Sequence, residues 1–243
     1  MKRLLKAAIH LVLLMTVTSS VVAENTPQPL TKNLNLPPES INFDLSDLID
    51  AEQKGKIKPS SLRVGVYYSD EFQNFKYQEV NLSSANYKID LGKQSLNVFR
   101  DSTKLLFAEV KEIQPTALMR RGNVSLDNIL FSSEEITNLD GVIIPTIWNY
   151  GFSPRYTTGL SFHSAAIEYR VALFDKGGTK VGEWLIGGYG KSEAERFSRK
   201  KGINRATDLA IGDAAVRLAS EIMNKPEVRA WMKSMSKNTN PID

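Results

Sequence analysis

Ser164-Ala165-Ala166-Ile167-Glu168-Tyr169-Arg170-Val171-Ala172-Leu173-Phe174, followed by Asp175-Lys176-Gly177-Gly178 and then Lys180 to Tyr189 (KVGEWLIGGY), decides the fold. Ile167, Tyr169, Val171 and Leu173 fall on one face and Glu168 and Arg170 on the other, the alternation of a half-buried strand. Asp175 to Gly178 supplies a hairpin turn, and the returning strand carries Trp184 and Ile186 on a single face. The apolar side of such a hairpin needs a cover, and the chain provides one directly afterwards. Ile211, Ala215, Leu218 and Ile222 recur at helical spacing with Asn204 as the expected N-cap. Ala210, Ala214, Ala215 and Ala219 allow that helix to approach a sheet closely. Asn224-Lys225-Pro226 ends it, and a shorter helix from Pro226 to about Met235 carries Val228, Trp231 and Met232.

Upstream the same alternation continues. Leu62 to Tyr68 reads as a strand turned by Ser69-Asp70. Phe75–Val80 and Tyr87–Leu91 read as short strands joined around 81–86. Gly92 opens a helix with Leu96, Phe99, Thr103 and Leu106 on one stripe, and Phe107–Ile113 is a strand returning beside the first. Ser132-Ser133-Glu134-Glu135 has the composition of a helix start. After the Asp140-Gly141 turn, Val142–Trp148 is a strand in which Pro145 predicts an edge position or a bulge. Asn149 to His163, rich in Gly, Pro and Ser, is expected to be a loop. The order predicts an α+β fold: a mixed, mostly antiparallel sheet with two main helices packed on one face.

The ends of the chain read differently. Lys2, Arg3 and Lys6 head an apolar run, and Val21-Val22-Ala23 fits a cleavage site before Glu24, so residues 1–23 are expected to be a secretory signal peptide. Residues 24–60, with Pro27, Pro29, Pro37, Pro38 and Pro59, read as an extended N-terminal arm. Within it Phe43 to Ile49 has the pattern of one amphipathic turn able to dock on the body. Residues 61–235 are expected to form a single domain and 236–243 a frayed tail. Exported by its leader, the chain is expected in the periplasm or outside the cell.

Composition narrows the chemistry. The leader holds three of the 31 basic residues and no acidic ones, so the remainder balances 28 cations against 27 anions, a net charge of +1. Nucleic acid, which needs a concentrated positive field, is not an expected partner, and membrane contact is at most peripheral. With no cysteine and two histidines, one of them in the leader, thiol nucleophiles, thiolate metal centres and His-rich metal sites are ruled out. A serine triad would have to use His163, and no G-x-S-x-G elbow accompanies it. Carboxylate chemistry or none remains. No cofactor, metal or catalytic residue is assigned. Asp70 and Glu71 are adjacent in sequence, an arrangement that seldom places a hydrolytic pair across one cleft. Gly187-Gly188-Tyr189-Gly190 lacks the Lys-Ser/Thr of a phosphate loop and is expected to relieve crowding at a strand end.

Two stretches stand out for recognition. Trp148, Tyr150, Phe152, Arg155 and Tyr156 form an aromatic loop with polar handles, suited to a protein or glycan partner, or else to capping the sheet as core. Arg196, Arg199, Lys200, Lys201 and Arg205 form a basic loop before the long helix, suited to an anionic surface or to plain solvation.

Val171 to Gly178 leading to Gly187-Gly188-Tyr189-Gly190, and Ala206 to Ala215 after it, resemble the D-x-x-G hairpin and alanine-rich helix of small α/β modules of Gram-negative envelope assembly. Those include the curli secretion lipoprotein, the Pel polysaccharide export lipoprotein and the amino-terminal domain of the Tol translocation protein. The resemblance covers about 50 residues of the carboxy-terminal half. It implies a non-enzymatic module working by protein–protein contact or oligomerisation, with envelope or secretion-machinery proteins as partners. The chain departs from the first two in lacking an acylated cysteine and, for the curli pore, a membrane-crossing hairpin, so the resemblance implies an accessory or adaptor rather than a pore. The alternative is a periplasmic glycan or small-molecule binder using residues 148–156.

Overall fold

The computed structural model describes residues 48–49, 51–80, 86–113, 136, 138–153, 162–193 and 199–237. The signal peptide expected over 1–23, the part of the arm over 24–47 and the helix start expected at Ser132–Glu135 therefore lie outside the described residues. The elements run α1 (Ala51–Lys56), β1 (Ser60–Tyr67), α2 (Asp70–Gln73), β2 (Tyr77–Val80), β3 (Asn86–Ile89), α3 (Leu91–Leu106), β4 (Phe107–Ile113), β5 (Gly141–Ser153), β6 (Phe162–Asp175), β7 (Lys180–Glu193), α4 (Arg199–Glu221) and α5 (Pro226–Lys237), with a 3₁₀ turn at Ile222–Asn224.

Five strands form one sheet in the order β4-β1-β5-β6-β7, and β2 and β3 form a separate antiparallel ribbon. β1 pairs in parallel with both β4 and β5, while β5–β6 and β6–β7 are long antiparallel ladders. This is the mixed α+β sheet the alternation predicts. The turn between β6 and β7 is held by the Asp175 carboxylate, which accepts from the N–H groups of Gly177 (2.8 Å) and Thr179 (2.9 Å), with Gly178 at φ 82° where a side chain would be strained.

The core lies between one face of the sheet and helices α3 and α4. Val64, Val66, Ile143, Ile147, Ile167, Tyr169, Val171, Leu173 and Ile186 face Phe99, Leu106, Ile203, Ala206, Ala210, Ile211, Ala214 and Leu218. Contact with α4 is close enough to require glycine on β7. A methyl group at Gly188 would lie 2.0 Å from the Ala210 carbonyl oxygen, and one at Gly190 would lie 2.0 Å from that of Ala206. The glycines do relieve crowding, against a helix along the strand rather than at its end, because β7 continues to Glu193. A smaller cluster of Ile113, Ile136, Leu139 and Val142 covers the β1–β5 part of the opposite face.

Several boundaries differ from the sequence reading. Helix α4 begins at Arg199, so Asn204 lies in its second turn and caps nothing at the start. Strand β5 runs on to Ser153, and β6 starts at Phe162, so residues 149–153 and 162–163 are strand where a loop was expected. The antiparallel ladder with β6 supplies hydrogen-bond partners that composition alone does not announce. The expected edge or bulge takes a mixed form. β5 is an interior strand, but its pairing with β1 ends at Ile143, two residues before Pro145, and the register shifts between Ile147 and Asn149. In the arm, expected to be extended, residues 51–56 are helical, and Leu48 and Ile49, the described end of the expected turn, are buried against Ala215 and Val216 of α4. At the other end α5 extends to Lys237, past the expected start of the frayed tail at 236.

Candidate functional site

The aromatic residues expected in one loop are divided by the register of β5. After the bulge at Trp148, Tyr150 and Phe152 turn to the helix face and Trp148 stays on the opposite one, which no helix among the described residues covers beyond the small cluster at β1. Tyr150 is buried. Its hydroxyl lies 2.6 Å from that of Thr207 on α4, and its ring packs edge-on to Tyr77 at 4.7 Å. Phe152, half-buried, meets the same Tyr77 ring at 6.0 Å. Both therefore cap the core, the second of the two readings the sequence leaves open, rather than forming a contact surface. Arg155 and Tyr156 lie outside the described residues.

Trp148 is 52% exposed, and the Arg170 guanidinium carbon sits 3.3 Å above its ring centre. Arg170 pairs in register with Leu185 of β7, which is also 52% exposed. Glu183 bonds Arg170 at 3.3 Å and Lys180 at 3.8 Å. The result is a patch across β5, β6 and β7 in which two large apolar side chains flank a guanidinium fixed by both a ring and a carboxylate. Such a guanidinium has lost most of its rotamer freedom before any partner arrives, which lowers the ordering cost of a contact. Leu185 was legible in principle: Trp184 and Ile186 pointing inward place the residue between them outward.

Of the basic loop, Arg196 lies outside the described residues, and Arg199 and Lys200 open α4. Lys201 is exposed and Arg205 half-buried. Burial lowers the Arg205 guanidinium from its ordinary range, and burial pushes the neighbouring Asp208 carboxyl up to about 7 despite the opposing charge of Arg205. The basic stretch is thus divided among the end of β7, undescribed residues and the first turns of a helix. Asp70 and Glu71 occupy the first turn of α2, capped by Ser69, where acids suit the helix dipole. His163 is 4% exposed within β6 rather than at a loop or edge, and its ring fills the space left by Gly202, where a methyl group would come within 2.4 Å of Cδ2. Among the described residues no group of three or more His, Asp or Glu side chains converges as a metal site, and no helix is long and apolar enough to cross a membrane.

No family model matches the chain, and no curated protein does. Among solved structures it is similar to protein XCC0632 of Xanthomonas campestris, of the DUF330 family model, at 10% identity over 75% of this chain and 92% of that one, with a TM-score of 0.46. It is also similar to the hypothetical protein CT253 of Chlamydia trachomatis, at 13% identity over 71% and 99%, TM-score 0.38. A third is a Helicobacter pylori protein described as a neuraminyllactose-binding hemagglutinin homolog, at 11% identity over 75% and 94%, TM-score 0.43.

Proposed function

We propose that the chain is an exported accessory or adaptor protein of a Gram-negative envelope. On this reading it acts in assembly or export by protein–protein contact, without catalysis, and the patch around Trp148 and Leu185 is its contact surface. The observation that carries this reading is the exposure of these two large apolar side chains on the sheet face opposite α3 and α4, while the other aromatics of the 148–152 segment are drawn into the core. Aromatic and aliphatic anchors around a pre-positioned arginine make a contact centre of the kind that dominates binding energy. The leader-like residues 1–23 and the resemblance to envelope-assembly modules support the compartment and the partner class.

The test is capture of partners by the tagged mature protein from cross-linked envelope fractions, in parallel with Trp148→Ala and Leu185→Ser. The reading expects an outer-membrane or secretion-machinery protein that is enriched with the wild type and lost with both variants, whose melting temperatures stay within a few degrees of wild type. Capture of the same proteins by all three chains, or of none from the envelope, overturns it.

A further inference from the structure

Beside that patch lies a recess of about 550 Å3, lined by β5, β6 and β7 together with Asp213 and Arg217 of α4, within the range of small-ligand sites. Gly151 of β5 pairs with Ala166 of β6, and Gly187 of β7 lies one row further, opposite Glu168. These three form its floor. A methyl group at Gly151 would meet nothing within 4 Å, and one at Gly187 only the Ile167 carbonyl oxygen at 4.0 Å. Packing therefore does not demand glycine at either position, in contrast to Gly188 and Gly190.

Polar side chains stand around this floor. Asn149 and Glu168 face each other in the β5–β6 register, and Tyr189 faces Ala166. Tyr189 is also held by its backbone: its N–H donates to the fully buried Asp213 carboxylate at 3.1 Å, which Arg217 binds at 3.2 Å, and both of these residues line the recess as well.

We propose that this recess binds a neutral saccharide. One pyranose ring lies on the Gly151–Ala166–Gly187 floor, its hydroxyls bonded to the Glu168 carboxylate and the Asn149 amide, with a C–H face against Tyr189. The dimensions suit this: three adjacent strands span about 10 Å and one alternate-residue step about 7 Å. The chemistry selects among ligands. A cation meets positive charge already held around the recess, in Arg217 of its lining, the Lys191 ammonium near Tyr189 and the Arg170 guanidinium over Trp148. Arg217 also lines the recess, but the Asp213 carboxylate binds its guanidinium at 3.2 Å, so an anion meets the Glu168 carboxylate beside a cation that is already paired. A flat apolar molecule strips water from Glu168 and Asn149 without replacing its hydrogen bonds. A neutral polyol satisfies all three side chains. The site is independent of the protein-contact reading, which rests on Trp148 and Leu185.

The experiment is an amide chemical-shift titration of the labelled mature chain with glucose, galactose, mannose and N-acetylglucosamine at millimolar concentration. At least one sugar is expected to give saturable shifts centred on Gly151, Ala166, Gly187 and Tyr189. Gly151→Val and Gly187→Val, which place side chains in the recess, and Glu168→Ala, which removes the acceptor, are each expected to weaken binding about tenfold or more while the chain stays folded. Trp148→Ala is expected to leave the titration unchanged, so the two sites fail separately. No saturable shift with any sugar, shifts centred elsewhere, or full affinity in folded Gly151→Val overturns the proposal.

Discussion

Gly187 and Gly188 are neighbours in sequence with opposite demands. Gly188 lies where a methyl group would come within 2.0 Å of the Ala210 carbonyl oxygen and 2.6 Å of the Ala214 nitrogen, both backbone atoms that side-chain rotation cannot move. Gly188→Ala is therefore expected to cost about 3 kcal/mol or more by forcing β7 and α4 apart, whereas Gly151→Ala, with open space around it, is expected to be neutral or slightly stabilising. Thermal denaturation of the two variants side by side checks the contrast, and equal losses would contradict the packing argument. Asp208 makes a second residue-scale prediction. Burial lifts its carboxyl to about 7, and the unfolded chain holds it near the ordinary value of about 3.9, so the folded state binds more protons between those limits. This group's contribution is therefore most favourable below about pH 4, declines as pH rises through 4 to 7, and is fully unfavourable above that. Asp208→Asn is expected to raise stability at pH 8 by on the order of 2 kcal/mol and to give no gain at pH 4. Melting curves at both pH values decide it, and a gain equal at the two would show that the carboxyl does not titrate as described.

Between elements, a few buried polar contacts fix how the helices sit on the sheet. The Ser95 hydroxyl of α3 lies 2.6 Å from the Tyr169 hydroxyl of β6, both residues fully buried. Tyr169→Phe leaves Ser95 with a buried unpaired hydroxyl and is expected to cost about 1–3 kcal/mol, while adding Ser95→Ala is expected to restore part of that loss. A double-mutant cycle in denaturant measures the coupling, and strict additivity would place the pair outside the forces that dock α3. Contacts of this kind explain what the sequence made legible and what it did not. The period-two pattern of 164–189 and the alanine-rich stripe of 206–219 sufficed for the hairpin, the covering helix and the mixed sheet, because each is a local pattern with one dominant burial direction. The length of β5 beyond Trp148 was hidden because residues 149–153 owe their strand state to pairing with 164–168, a long-range partner with no local signature. The start of α4 was misplaced because Asn204 has a capping side chain in a position where the helix had already begun. For the site, Trp148 was legible as an exposed aromatic and Tyr150 was not distinguishable from it, since the bulge that separates their faces depends on the register with β6.

For the molecule as a whole, the unequal covering of the two sheet faces links stability to function. Helices α3 and α4 bury one face, so the free energy that orders β5, β6 and β7 comes largely from that side, and on the other, among the described residues, Trp148 and Leu185 stand exposed for contact without loss of the core. β6 lies at the centre of this arrangement, bonded along its length to β5 and β7 and packed beneath α4. The β2–β3 ribbon has two short strands and joins the body through the buried Ile89 and the partly buried Tyr77, and two-stranded ribbons are marginal by themselves. Native-state hydrogen exchange is therefore expected to rank them far apart. Amides of β6 from Ile167 to Leu173 should exchange only through global unfolding, and those of β2 and β3 through local opening several kcal/mol less costly. The same ranking carries a functional consequence, because Glu168 and Arg170 belong to the most protected strand and Trp148 and Leu185 to the strands paired on either side of it. A contact face built there changes little when a partner binds, so exchange at the β2–β3 ribbon is expected to be the same in the complex as in the free protein. Protection of β6 no greater than that of β2–β3 would show that the sheet is not the rigid support on which the proposed contact surface depends.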